Sequence, residues 1–286
     1  MRCLVLSIVV AGVGAASAFA QSPEPDDAAI RALVAQLGDE AFEKRDTAEA
    51  RLLALGPSID AALAGLTPPS DAEIRTRLQR IRGAFAQARR LAAFRDEKGA
   101  PTGAFWLELR RFLAETLSAR IRASVLEHGQ APADATERLE RATAFAKRFV
   151  LEWNEMVEIG SEEERRYAAL ERELLAHGAA AVPALLDVLA VDQREAFTRI
   201  RAEEGVTMRM QVRALFAVAK IGDPAAVPAL VRHVRSPSFT GTMTALAGLQ
   251  HLTGESFAGD EHGADLDKLD AWWKKNRERY EPSVTR

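Results

Sequence analysis

Three stretches of this chain are punctuated in the same way, and that punctuation constrains the fold more than any other feature. They are Ala50–Leu63, Glu171–Leu185 and Leu215–Leu230. Each closes a helical run on Leu55, His177 or Ile221, follows it at once with Gly56, Gly178 or Gly222, and then opens another run with small residues and leucine. Glycine adopts the positive-φ backbone that ends a helix without the steric cost borne by other residues. Gly178 and Gly222 stand 44 residues apart, the period of a helix-pair repeat, and Gly56 lies 122 residues before Gly178, close to three such periods. In the third copy Asp223 is placed to cap the next helix, and Pro224 and Pro228 fall in its first turn, where a missing N–H costs little. Val227, Leu230, Val231 and Val234 are then expected to face the core.

The rest of the chain reads as helix after helix. Asp26 or Asp27 opens a first helix carrying Ile30, Leu33, Val34 and Leu37, and a second runs from about Glu40 to Leu55. After the break at Thr67–Ser70, Ile74, Leu78, Ile81 and Phe85 fall on one stripe of an amphipathic helix. Lys98–Gly103 reads as a loop. A helix carrying Phe105, Leu109, Phe112, Leu113, Leu117, Ile121 and Val125 follows, then a break at Gly129–Asp134. The next helix carries Leu139, Ala142, Ala146, Phe149, Trp153 and Met156 and stops before Gly160, so 98–160 is expected to form a long irregular helical hairpin. No segment alternates with period two, so no sheet is expected. Aromatic residues make up only 6% of the chain, and short apolar side chains suit close helix packing better than strands.

The first twenty residues differ from the rest. Arg2 precedes an apolar or small run over 3–20, and Ala18-Phe19-Ala20 has the small-x-small form of a leader-peptidase site. Cleavage there would leave Gln21 first, so the chain is expected to be exported to the periplasm or beyond; the alternative is an uncleaved N-terminal membrane anchor. Cys3, the single cysteine, lies inside this segment, so the mature chain would carry out no thiol chemistry. The expected division is leader 1–20, linker 21–25, N-terminal helices 26–97, hairpin 98–160, and C-terminal repeats with a closing helix over 161–286.

Ile221–Leu230 resembles the HEAT-like repeat of the phycobilisome-lyase type. Phe42, Arg45, Ala48, Leu52, Leu55 and Gly56 resemble the same repeat as it occurs in exported bacterial proteins. Leu252–Phe257, Asp260 and Trp272-Trp273 resemble the closing helix of such arrays. The resemblance covers 39–66 and 161–273 and is poor over 70–160. It implies an all-α HEAT-like solenoid, a curved stack of antiparallel helix pairs, that works through protein–protein contact without fixed site residues. It does not carry over chromophore lyase activity.

No catalytic, cofactor or metal site is expected. The histidines His128, His177, His233, His251 and His262 never stand at the i, i+4 metal spacing, and no Gly-x-Ser-x-Gly elbow or phosphate-cradling glycine loop occurs. The formal charge of −3 argues against nucleic acid. One local anomaly is basic: Arg75, Arg77, Arg80, Arg82, Arg89, Arg90 and Arg95 fall in 21 residues without an acid, and Arg75, Arg82 and Arg89 share a heptad position. They either meet an acidic partner or pair with acids such as Glu152, Glu155 and Glu158. Contact with a partner is further expected at Asp60, Asp187, Arg194, Arg232 and Arg235, taken as lying on the second helices of the pairs, and at Trp273. The expected function is a non-catalytic interaction or scaffold protein. The expected partner is another protein, acidic where it meets the basic stretch, with no nucleic acid and no stable membrane span after leader removal. The alternative is an accessory subunit or a carboxylate-based hydrolase of the cell envelope with its site in the concave groove.

Overall fold

The computed structural model describes residues 26–67, 69–115, 118–155, 161–199, 205–259 and 263–281. The leader, the linker, and Leu117, Met156, Glu158, Gly160, Asp260, Glu261 and His262 lie outside them. Among the described residues every regular element is helical. Two isolated antiparallel bridges, Arg95 with Pro101 and Ala258 with Ala264, are the closest approach to a strand. The chain forms two compact units, Met1–Gln79 and Arg80–Arg286. The division falls inside a helix, not at the Lys98–Gly103 loop where the sequence places a boundary.

The first unit contains α1 (Asp27–Gln36), α2 (Phe42–Leu55), α3 (Asp60–Ala64) and the start of α4 (Ala72–Ala93). The Asp26 carboxylate accepts from Ala28 N, as its capping position requires. Ile30, Val34, Leu37, Leu52, Leu53, Ile59 and Leu63 form the core. Arg77 is buried in the same unit and forms ion pairs with Glu73 at 2.6 Å, Asp46 at 2.9 Å and Glu49 at 2.5 Å. Burial pushes its pKa down, but the hydrogen bonds to Glu73 and Asp46 and the charge of Glu49 outweigh this and raise it overall.

The second unit continues α4 into α5 (Gly103–Ala114), α6 (Ala119–His128), α7 (Ala135–Glu155), α8 (Ser161–His177) and α9 (Val182–Ala190). Then come α10 (Gln193–Thr198), α11 (Met208–Ile221), α12 (Val227–His233), α13 (Phe239–Thr253) and α14 (Leu266–Tyr280). The middle of the chain differs from the expected hairpin. Its first arm is two helices, because Glu115 turns extended and Ser118 starts a new one by accepting from Ile121 N. Its second arm is no separate insert: α7 packs on α8, α9 and α11, and α5 packs on α9. Leu139, Ala142, Ala146 and Phe149 of α7 are all buried.

The glycine punctuation is realised at all three places. Gly56, Gly178 and Gly222 have φ of 73°, 54° and 77°. Each is followed, or in the second case joined, by a short 3-10 turn before the next helix: Pro57–Ile59, Gly178–Ala181 and Pro224–Ala226. The tighter turn shortens the path between paired helices and leaves Pro183 and Pro228 in the first turns of α9 and α12. In the second unit α11 packs on α9 and α13, and α12 on α13 and α14. Val227, Leu230, Val231 and Val234 are buried as the apolar spacing predicts.

Arg165–Ala190 is long and apolar enough to cross a bilayer by length and composition, with a mean hydropathy of 1.4. Half of that window is buried, and the 3-10 turn at Gly178–Ala181 interrupts it. It is the core pair α8–α9.

Candidate functional site

An open cleft of about 1160 Å³ lies in the second unit. The end of α4, the outer face of α5, the turn before α12 and the end of α14 line it. Local sequence sets each wall. Thr102 caps α5 by accepting from Phe105 N, and Gly103 follows as its first residue. The Asp223 carboxylate caps the turn into α12 through Ala225 N at 2.9 Å and accepts from Gly103 N at 2.6 Å. A Cβ at Gly103 would sit 2.5 Å from Asp223 Oδ1, so only glycine admits this contact. One side chain thereby ties α5 to a turn 120 residues away.

The charged lining is four arginines, Arg90, Arg110, Arg111 and Arg279, with Glu108 and Asp223. Glu108 is buried and accepts from Arg111 at 2.7 Å, with Arg90 at 3.4 Å. Arg110 holds Asp187 by two bonds of 2.6 and 3.1 Å and also donates to the Pro183 carbonyl. Arg279 lies 5.4 Å from the centre of the Tyr280 ring. Burial raises the Asp223 pKa, and the two N–H donors, Gly103 and Ala225, oppose the rise. The apolar part of the wall is Ala93, Phe94, Ala104 and Leu107. Each guanidinium has five N–H donors, more than its present partners use, so the cleft can accept carboxylates beside an apolar surface.

A second hollow of about 460 Å³ lies where α9 and α12 end and α10 begins. It brings together three predicted contact residues, Arg194, Arg232 and Arg235. Two of these are not on second helices: Arg194 is on α10, a short extra helix started by the Asp192 cap, and Arg235 lies in the turn after α12. Arg235 pairs with Asp270 at 2.6 Å.

The remaining expected contact residues are dispersed. Asp60 is half-buried on α3 in the first unit, and exposed Arg75 donates to the carbonyls of Pro69 and Ser70. Arg82 and Arg89 are exposed on α4. Asp187 is exposed and held by Arg110. Trp273 is half-buried in an aromatic stack with Trp272 and Tyr280, while Trp272 meets Phe257 edge-on at 5.2 Å.

Glu152 pairs with Arg148 and Arg166. The Glu155 side chain and Glu158 are outside the described set. Arg77 takes the first-unit carboxylates, Arg90 takes Glu108, and Arg95 donates to the carbonyls of Gly99, Gly129 and Gln130. The cleft arginines Arg110, Arg111 and Arg279 carry no sequence signal of their own. Asp223 was legible as a cap, but its bond to Gly103 was not.

The described histidines all sit in last helical turns: His128 of α6, His177 of α8, His233 of α12 and His251 of α13. Among the described residues no three histidine, cysteine or carboxylate side chains gather as a metal site. Comparison with known proteins adds no identification: no family model, curated protein or solved structure matches the chain.

Proposed function

We propose that this protein is an exported, non-catalytic binding module, a HEAT-like helical array whose cleft takes an extended acidic segment of a partner protein. The observation that carries the reading is the cleft itself, in which four arginines stand against two carboxylates beside an apolar wall. Both carboxylates are already held, Glu108 by two arginines and Asp223 by two backbone N–H groups. Glu108 thereby positions Arg90 and Arg111, and Asp223 fastens α5 to the turn before α12, a poor arrangement for general acid–base chemistry. The repeated helix–glycine–3-10–helix units and the serial packing of α9, α11, α12, α13 and α14 support the solenoid reading.

Peptide titration tests the cleft. Fluorescent Asp- and Glu-rich peptides with interspersed apolar residues bind the wild type, and Arg111→Ala with Arg279→Ala weakens them about tenfold or more. Equal binding of acidic and neutral peptides, or an unchanged affinity in the double variant, sinks the proposal. Export is tested separately by the N-terminal residue of the protein recovered from the cell envelope, expected to be Gln21.

A further inference from the structure

A third hollow, a trough of about 510 Å³, lies on other helices than the cleft, between α11 and α13. These two helices run parallel. Ser236, just before α13, donates to Met208 Sδ at the start of α11, and further along both helices a Cβ on Gly248 would stand 3.1 Å from that of Ala219. Ala219, Ala247 and Gly248 line the trough with no more than a methyl group each, while Phe216, Phe239 and Met243 add large apolar side chains. Phe239 is 67% exposed and Met243 37%. This apolar surface faces water, and a ligand that covers it gains free energy in proportion to the area removed.

The trough has one basic end. Phe239 opens α13, whereas Lys220 and His251, which also line the trough, stand in the last turns of α11 and α13. None of the described lining residues is acidic. Glu171, outside the lining, pairs with the Lys220 ammonium at 2.6 Å, and an ammonium has three N–H groups, so two remain to donate. The ammonium lies 4.6 Å from the centre of the Phe216 ring, beside the apolar wall. From Phe239 to His251 α13 rises about 18 Å. A partner helix, about 10–12 Å across, would take up roughly 1400 Å³ or more over that length, well beyond the volume of the trough. A single unbranched chain is thin enough to lie within it.

We propose that this trough binds a free long-chain fatty acid. The hydrocarbon chain lies along Ala219, Ala247 and Gly248 against the rings of Phe216 and Phe239, and the flexible Met243 side chain adapts to it. The carboxylate accepts from the remaining N–H groups of Lys220 and from the His251 ring. Because Glu171 already takes part of the Lys220 charge, this end suits a head group with a single negative charge. The inference does not rest on the peptide cleft.

The test is calorimetric titration of the full chain with octanoate, decanoate, dodecanoate and tetradecanoate below their micelle concentrations, and with decanol. Affinity is expected to rise several-fold with each added pair of carbons, because each buried methylene contributes. Decanol is expected to bind at least about fivefold more weakly than decanoate, since it lacks the charge that Lys220 and His251 meet. His251→Ala, at an exposed position, is expected to narrow that gap and leave decanol binding unchanged. Ala247→Phe, also at an exposed position, fills the trough and is expected to abolish dodecanoate binding at an unchanged melting temperature. Should that variant fold poorly, Phe239→Ala decides, since it only removes an exposed ring and is expected to weaken dodecanoate several-fold. No binding of any of the four acids, equal affinity across the series, decanol binding as tightly as decanoate, or wild-type affinity in the folded trough variants would each overturn the proposal. Binding to neutral phospholipid vesicles with none to the free acids would overturn it too, in favour of a membrane surface.

Discussion

Two buried arginines, one in each unit, sit in different surroundings. In the first, Arg77 is surrounded by three carboxylates, one of which, Glu49, is itself buried. In the second, Arg213 is wrapped by rings, 3.4 Å from the centre of Tyr167 and 5.1 Å from those of Phe149 and Phe216. Charge raises the Arg77 pKa, whereas desolvation pushes that of Arg213 down to about 9. Two other buried groups of the second unit are held by the backbone, Asp223 by two N–H groups and His233 by a carbonyl, while buried Glu108 is paired with Arg111 and Arg90. A pair of charges makes each partner depend on the other, while rings and backbone groups remain satisfied when the ion leaves.

The same substitution at both arginines tests this directly. Arg77→Met removes the ion pair of buried Glu49 with Arg77 and is expected to cost about 3–5 kcal/mol in urea unfolding followed by circular dichroism. A cost below about 1 kcal/mol would show that the carboxylates reach solvent instead, and the comparison would fail. Next comes the bond from Gly103 to Asp223. Gly103→Ala drives the carboxylate out and is expected to cost about 2–3 kcal/mol, as is Asp223→Ala. The two changes remove one interaction, so the double variant is expected to lose far less than the sum. Additive losses would mean that the contact does not hold α5 in place.

Arg213→Met is expected to cost only about 1–2 kcal/mol, because a thioether keeps the ring contacts and needs no hydration. A loss equal to that of Arg77→Met would erase the distinction between the two arginines. The smallest effect is a pH dependence confined to the second unit. Burial lowers the pKa of His233, and of His177, from 6.5. The unfolded chain therefore binds more protons than the folded one as the pH falls through that value. Their contribution is fully present above pH 6.5 and declines below it. The melting temperature is expected to fall from about pH 7.5 to about pH 5.5, less steeply in His233→Gln. Equal slopes would show that His233 is not the group responsible.

Much of the local architecture was legible in the sequence. The apolar spacing located Val227, Leu230, Val231 and Val234 in the core, and Asp26 and Asp223 were readable as caps. The break between α5 and α6 was missed because the apolar stripe continues through it: Phe112 and Ile121 are both buried, and the cap at Ser118 outweighs periodicity. The candidate sites were legible only in part. The sequence offered Arg194, Arg232 and Arg235 as contact residues on second helices, but not as neighbours at the ends of α9 and α12. Arg90 belonged to a noticed basic run, yet its partner, Glu108, had to be found in space.

The sequence by itself determined where the helices stop and pair. Positive φ at Gly56, Gly178 and Gly222, and the caps beside them, depend on atoms a few residues away. Only the tertiary structure decided which charges meet and which imidazole lacks a donor. A side chain's electrostatic state is set by the solvent it loses and by the partners it gains, and in this fold those partners come from as far as 120 residues along the chain.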